Sequence, residues 1–323
     1  MTTSTEVYAS TPEVIAAKDQ PDVSAAEFRD IAKVWVDRYH LDPSYKHDIT
    51  DIIDSVTKDC VSQLGPDLGP KYAENGCVLG VTFYMTHPRE LQRIIGLFTA
   101  GFLSLDDLAP SMREDLYMFQ PRLIVGEKQA RGPLELLRKA LAEMEPYYSK
   151  LAMGMIYGTV IEDILSMTLE RPERPYTADK VSPDFTSFFR RMLGFGRPYG
   201  WFIIAKPLFN TPVDEVELVH FGVMPDLAEL GVVINDILSF YKESVVGDER
   251  DNHAYREARA RRVSLNTVLQ EFTSQLIATF DAVHDKVAEN PQLQYVLDSW
   301  MKGMIMFHFC APRYRLGELN FKS

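Results

Sequence analysis

Asn235-Asp236-Ile237-Leu238-Ser239-Phe240-Tyr241-Lys242-Glu243 is the stretch on which the reading of the chain turns. Asn235, Ser239 and Glu243 recur at every fourth position. At about 100° per residue, four steps of a helix overshoot a full turn by only about 40°, so the three side chains lie along one face. Ile237, Leu238 and Phe240 fill much of the remaining surface. An amide, a hydroxyl and a carboxylate make a hard-oxygen set suited to Mg²⁺, with water and phosphate oxygens completing the shell. Lys242 stands where it could meet a phosphate directly. On spacing alone, a helix with a polar edge is the simpler account; the rest of the chain has to decide.

The chain has 323 residues, 46% of them hydrophobic and 25% charged, which is ordinary for a globular fold with a large core. A formal net charge of −12 opposes binding to nucleic acid or to an anionic membrane surface. It leaves room for a small anionic substrate held by local cations. Cys60, Cys77 and Cys310 are odd in number and widely spaced, with no zinc pattern and no disulfide framework, so a reducing compartment is expected. The polar start from Met1 to Ser10 carries no apolar signal segment, and no apolar run reaches spanning length: Trp201 to Ala205 is flanked by Arg197 and Lys206. The expectation is a cytoplasmic protein without a membrane span; a homodimer is an assembly open to it.

Helical periodicity dominates from Ser24 onward, after a lead-in over residues 1–23 rich in Ser, Thr, Ala and Pro that is expected to be flexible. Asp42-Pro43 reads as the start of a second helix running to Leu64, with Gly65-Pro66 and Gly69-Pro70 bracketing a loop. His87-Pro88 opens a helix that carries Leu91, Ile94, Ile95, Phe98 and Phe102 into Leu105-Asp106-Asp107. Gly132-Pro133 opens a long apolar helical stretch reaching Leu165. Ser182-Pro183-Asp184 is a helix start, with Ser as cap and Pro in the first turn. Gly194-Phe195-Gly196 is a break, Pro212 a restart and Pro225 a start or kink. The last helix runs from about Pro291 to Pro312. With few alternating runs, the pattern predicts an all-α fold, one domain over residues 24–323, of ten or more helices.

Asp106 and Asp107 form a second acidic site. Phe102 and Phe98 lie four and eight residues before Asp106, on the same face, so an aromatic wall leads towards a carboxylate. Adjacent acids at the end of an apolar helix need water, a cation or a partner. Arg190, Lys242, Arg313 and Tyr314 could complete an anion site, arginine through a planar fork and lysine as a point charge. Arg191 and Arg197 are cations that need not belong to it. Asp251 is a candidate partner to orient Arg313.

At these residues the chain resembles a known family. The Asn235–Glu243 stretch resembles the Asn/Ser/Glu metal motif of class I terpene synthases. Gly247-Asp248-Glu249-Arg250-Asp251, His308-Phe309-Cys310-Ala311-Pro312-Arg313-Tyr314-Arg315-Leu316 and Ser182 to Met192 resemble the fungal trichodiene synthase-like branch. The resemblance implies a helical bundle around a central apolar cavity. It makes Asn235, Ser239 and Glu243 ligands of one Mg²⁺ and Asp106 the main acidic ligand for two others, a cluster of three. Arg190, Lys242, Arg313 and Tyr314 would hold the diphosphate of a prenyl substrate, farnesyl diphosphate by branch. Asp106, Arg313 and Tyr314 would act in ionisation, and Phe98, Phe102, Trp300 and Phe307 would wall the cavity. Two positions depart from the family. Pro110 stands three residues after Asp107, where a further acid is usual. Thr99 stands where members that form trichodiene carry an aromatic, so trichodiene is not the expected product.

The leading expectation is therefore a Mg²⁺-dependent sesquiterpene synthase that cyclises farnesyl diphosphate and releases diphosphate. A second reading keeps the ionisation but lets water or an amine capture the cation, giving a prenyl-diphosphate hydrolase or an alkylating enzyme. A third is an inactive helical scaffold. A chain-elongating prenyltransferase would ordinarily carry a second Asp-rich motif where this chain has Asn/Ser/Glu.

Overall fold

The protein is described from a computed structural model, which covers residues 22–169, 188–189, 192–210 and 212–321. The lead-in therefore lies, apart from Asp22 and Val23, outside the described residues, as do Arg190 and the Ser182-Pro183-Asp184 start. Among the described residues there are eleven α-helices and no strand. In chain order they are α1 (Ala25–Tyr39), α2 (Ile53–Phe83), α3 (Arg89–Leu108), α4 (Arg113–Val125), α5 (Gly132–Met144), α6 (Lys150–Met167), α7 (Gly196–Trp201), α8 (Val213–Phe240), α9 (His253–Arg261), α10 (Leu265–Lys286) and α11 (Pro291–Cys310). The all-α expectation is met.

Local chemistry explains most boundaries. Ser24 and Glu27 close a reciprocal capping box at the start of α1. Ser149, Asn252, Ser264 and Asn290 cap α6, α9, α10 and α11 by accepting backbone N–H bonds. Three boundaries differ from expectation. Asp42-Pro43 opens no helix: α2 starts at Ile53, and Asp42 instead accepts from Ser44 in a local turn. The chain turns sharply at Gly65 (φ 83°) and then resumes helix through Pro66 and Pro70, so the expected loop shrinks to one residue. The long apolar stretch after Gly132 is two helices, separated where Pro146 and Ser149 stop one and cap the next.

The buried side chains join into one continuous core reaching from α1 to the segment after α11. Two glycines set its spacing. A Cβ on Gly76 would lie 2.2 Å from the Gly96 carbonyl oxygen, and one on Gly303 would lie 1.7 Å from that of Thr82. Their absent side chains let α3 and α11 each close directly against α2. This makes α2 the common neighbour of α3, which ends in acids, and α11, which ends in aromatic residues. The stretch Arg89–Ser111 is long and apolar enough to cross a membrane by length and composition, but 61% of it is buried in this core. Packing accounts for its apolarity.

Candidate functional site

Helix α8 carries Asn235 and Ser239 in its last turns, with Ser239 buried and Asn235 half-buried. Glu243 is not on the α-helix proper. It falls in a π-helical turn, Tyr241–Val245, closed by the Val246 N–H donating to the Tyr241 carbonyl at 2.9 Å. A π turn winds more slowly than an α turn. It therefore offsets the drift that a straight helix would accumulate between Asn235 and Glu243. Lys242 Nζ lies 3.1 Å from the Glu243 carboxylate and 5.5 Å from the centre of the Tyr314 ring.

The end of α11 meets α8 through three polar groups. The Asn235 amide nitrogen is 3.2 Å from His308 Nε2 and donates to the Tyr314 hydroxyl at 3.1 Å. His308 Nδ1 lies 2.8 Å from the Met304 carbonyl oxygen, one turn earlier on α11. Burial pushes the His308 imidazole down to about 3, with Lys242 and Arg313 pushing in the same direction. Burial pushes the Tyr314 phenol up to about 12; Arg313 and the Asn235 bond oppose this, and the Glu243 and Asp106 carboxylates reinforce it. Tyr314 is thus a neutral phenol within electrostatic reach of both acidic elements. It sits in a short 3₁₀ turn, Pro312–Tyr314, which also carries Arg313, whose guanidinium carbon is 5.7 Å from the Tyr314 ring centre.

Asp106 and Asp107 are the exposed end of α3, followed by a 3₁₀ turn over Ala109–Ser111 that contains Pro110. Tyr72 of α2 donates its hydroxyl to Asp107 Oδ2 at 2.6 Å. Burial, Asp107 and Asp106 raise the Tyr72 phenol above its ordinary value, and Arg313 counters them. Lys71, Tyr72, Asn75, Asp107, Lys242 and Arg313 line one cleft of about 250 Å³. Residues far apart in sequence therefore share one polar mouth. A second hollow of about 410 Å³, lined by Tyr117, Ile161, Leu165 and Met192 among others, lies along α4 and α6 and contains none of these groups.

Below the mouth runs a chain of aromatic rings. Phe102 is 4.3 Å from Phe195, and Phe98 packs edge-on against Phe195, Tyr199 and Phe202 at 5.8, 5.8 and 5.1 Å. Phe83 connects Tyr199 at 6.1 Å to Trp300 at 6.4 Å and Phe307 at 5.5 Å, and Phe307 reaches Tyr314 at 5.4 Å. Each edge-to-face pair adds about 0.5–1.5 kcal/mol beyond burial and presents negative ring faces to its surroundings. The Tyr199 hydroxyl donates to Thr99 at 2.9 Å, so an aromatic side chain from α7 reaches the position where α3 has none.

Of the residues expected at the site, Lys242 and Arg313 line the mouth with Asp107, Glu243 and Tyr314 adjoin Lys242, Asn235 adjoins Tyr314, and Phe98, Phe102, Trp300 and Phe307 are joined through intervening rings. Arg190 lies outside the described residues. Asp251 does not orient Arg313: it pairs with Arg256 at 3.3 Å and with Arg259, both on α9 and close to it in sequence. Arg197 is turned away to Glu162 and Asp163 of α6. Four contributors were not singled out from sequence: Tyr72, Phe83, Tyr199 and His308. His308 stands six residues before Tyr314 in a quoted motif; the others carry no local signal, because their partners at the site are 35 to 224 positions away.

The donor set fits Mg²⁺. The side chains Asn235, Ser239, Glu243 and Asp106 all offer oxygen, and Asn235 Oδ1 accepts no hydrogen bond among the described residues. Also among the described residues, no three His, Cys, Asp or Glu side chains converge on one point. Such a set needs oxygens from water and from a bound anion.

An all-α bundle with an oxygen-donor helix end facing an acidic helix end, cations between them and aromatic rings below, has the architecture of the class I terpene synthases. The chain belongs to the trichodiene synthase (TRI5) family, whose profile matches residues 73–323. It is 27% identical over 249 residues to an (E)-beta farnesene synthase of Metarhizium brunneum, covering 76% of this chain and 74% of that one. It is 23% identical over 312 residues to the longiborneol synthase CLM1 of Gibberella zeae, covering 92% and 88%. A trichodiene synthase of Gibberella zeae is 30% identical over 150 residues, covering 44% and 37%.

Proposed function

We propose that the protein is a Mg²⁺-dependent sesquiterpene synthase that ionises farnesyl diphosphate and cyclises the resulting cation. The observation that carries this reading is the shared mouth: Asp107 from α3, Lys242 from the end of α8 and Arg313 from beyond α11 line one cleft. In this reading Asn235, Ser239 and Glu243 hold one Mg²⁺, and Asp106 supplies the acidic ligand for two more. Bound Mg²⁺ supplies charge neutralisation for the departing diphosphate. Lys242, Arg313, Tyr314 and Arg190 grip the phosphate oxygens, Arg313 by its fork and Tyr314 through its hydroxyl proton. The bond from the allylic carbon to the diphosphate oxygen breaks, and its electron pair leaves with the oxygen. These donors stabilise that charge as it grows, when preorganised dipoles and cations contribute most.

The allylic cation left behind faces Phe102, Phe98, Tyr199, Phe83 and Phe307. Ring faces stabilise positive charge by about 0.5–2 kcal/mol each and exclude the water that would quench it. Loss of a proton from the rearranged cation ends the reaction. The similarity to an (E)-beta farnesene synthase supports a farnesyl substrate, while a monoterpene synthase of Postia placenta, similar over 91% of this chain, makes the C10 diphosphate the comparison to run beside it.

The test is incubation of the full chain with C10, C15 and C20 prenyl diphosphates and Mg²⁺, with and without an amine, followed by mass spectrometry. Cyclic C15 hydrocarbon is the expected product. Farnesol, nerolidol or an N-prenyl adduct would instead support capture by water or amine. No turnover, together with no thermal stabilisation by Mg²⁺ and diphosphate, would leave a scaffold.

A further inference from the structure

We propose that His308 is a positioning residue: it fixes the orientation of the Asn235 amide so that Oδ1 faces the metal site and the Tyr314 hydroxyl proton is left for the substrate. This rests on the reading of Asn235 as a Mg²⁺ ligand.

The argument begins at the far side of the imidazole. His308 Nδ1 lies 2.8 Å from the Met304 carbonyl oxygen, and a carbonyl can only accept, so Nδ1 carries the hydrogen. The ring is buried, and the atom 3.2 Å from Nε2 is the Asn235 amide nitrogen, which can only donate, so Nε2 presents its lone pair to the NH₂ group and not to the amide oxygen.

The second hydrogen of that NH₂ group goes to the Tyr314 oxygen at 3.1 Å. Both amide hydrogens are then engaged and Oδ1 points away from both partners. An amide can flip by 180° at little cost in shape, exchanging oxygen for nitrogen. Here the flip would set two lone pairs, on Oδ1 and Nε2, against each other and offer the site an N–H where a cation needs oxygen. The Tyr314 oxygen, already accepting, is left with its proton free to donate. A single buried ring on α11 thus sets the polarity of a side chain on α8 and of another in the turn after α11. Carbonyl–imidazole pairs that hold a metal ligand in one tautomer work by the same logic.

An ordinary core histidine would bond Met304 and fill space without affecting cation binding. Thermal unfolding of the full chain, with Mg²⁺ titrated at fixed inorganic diphosphate, separates the two roles. The wild-type protein should be stabilised; no stabilisation would overturn Asn235 as a ligand and the proposal with it. Given wild-type stabilisation, His308→Leu should raise the Mg²⁺ midpoint about 10- to 100-fold, whatever its effect on the ligand-free melting temperature. His308→Gln, whose terminal amide can place an acceptor near the Nε2 position, should bring the midpoint back to within about threefold of wild type. An unchanged midpoint in His308→Leu would overturn the proposal while leaving the metal reading standing. Should His308→Leu fail to fold, ¹⁵N-labelled histidine in the wild-type chain gives an independent reading. The Nδ1–H tautomer is expected at His308; the Nε2–H tautomer or the imidazolium would overturn the proposal.

Discussion

At the mouth of the site polar side chains bond mostly to one another, whereas at its back wall they bond mostly to backbone carbonyls. The mouth is held by Lys242 on Glu243, Tyr72 on Asp107 and Asn235 on Tyr314. The wall, from Tyr199 to Phe202, is held by Tyr84 on the Tyr199 carbonyl at 2.7 Å, His220 on Gly200 at 3.0 Å, and His87 and Tyr148 on Phe202 at 2.8 and 3.0 Å. The difference is functional. Side-chain pairs at a solvated mouth can exchange partners when cations and diphosphate arrive, at about the same number of hydrogen bonds. A buried carbonyl that loses a side-chain donor has no water to replace it, at about 1–3 kcal/mol where no second donor remains. Substitutions at the mouth should therefore cost activity, and those at the wall stability.

The largest expected effect is at Glu243. Its side chain is partly exposed and, among the described residues, paired only with the adjacent Lys242, so Glu243→Ala should change unfolding stability by no more than about 0.5 kcal/mol. Turnover of farnesyl diphosphate should fall by at least about 10²-fold, as for loss of one key charge-stabilising group. Steady-state kinetics beside a melting curve checks both halves. Retained turnover would remove Glu243 from the site, and a collapsed melting temperature would place it with the wall.

Arg313→Ala comes next. A charged hydrogen bond to phosphate is worth about 1.5–3 kcal/mol, so diphosphate-dependent stabilisation should weaken about 10- to 100-fold. Since Asp251 is already committed to Arg256 and Arg259, the ligand-free protein should melt almost as wild type does. Full stabilisation of the variant by inorganic diphosphate would show that Arg313 faces the cleft without gripping the ligand.

The mouth and the wall also differ in how far they could be read from the chain. Asn235, Ser239, Glu243, Asp106, Arg313 and Tyr314 sit in short motifs whose spacing carries chemistry, and helix ends deliver them to one place. The helices themselves were legible because apolar periodicity is a local property. Tyr84, Tyr148 and His220 were not, because each acts through a carbonyl 20 to 115 positions distant, nor was Tyr199, which acts through the Thr99 hydroxyl 100 positions away; the aromatic type alone does not distinguish a tie from ordinary core filling. The π turn at Tyr241–Val245 was equally hidden, because no residue type marks it. Pro66 and Pro70 misled in the other direction, since a proline in the first turn of a resumed helix looks like one in a loop.

A smaller effect than those at the mouth, and on stability alone, is expected from Tyr84→Phe. It keeps the ring and deletes the hydroxyl, leaving the Tyr199 carbonyl without that donor in the core. The loss should be about 1–3 kcal/mol in denaturant unfolding, with turnover at low temperature near wild type. If turnover falls while stability holds, the wall shapes catalysis directly and the division between the two regions fails.

The smallest effect at neutral pH, and the sharpest test of the wall, comes from its histidines. Burial pushes both His87 and His220 down to about 4, against the opposing pull of their carbonyl bonds. In the unfolded chain each takes up its proton near pH 6.5. Between pH 6.5 and about 4 the unfolded state therefore binds more protons than the native state, and stability falls as pH falls through that window. Above pH 6.5 neither contributes any pH dependence. Each can add up to about 1.4 kcal/mol per pH unit to the slope. Glutamine can keep an N–H near the Nε2 position and does not titrate, so His220→Gln should flatten the slope of unfolding free energy between pH 5 and 6 by about one proton and leave pH 7.5 almost unchanged. Denaturant titrations of wild type and variant across that window measure the difference directly, with the carboxylates common to both cancelling. An unchanged slope would mean that His220 is already charged in the folded protein, and the carbonyl of Gly200 would then be held by an imidazolium rather than by a neutral donor.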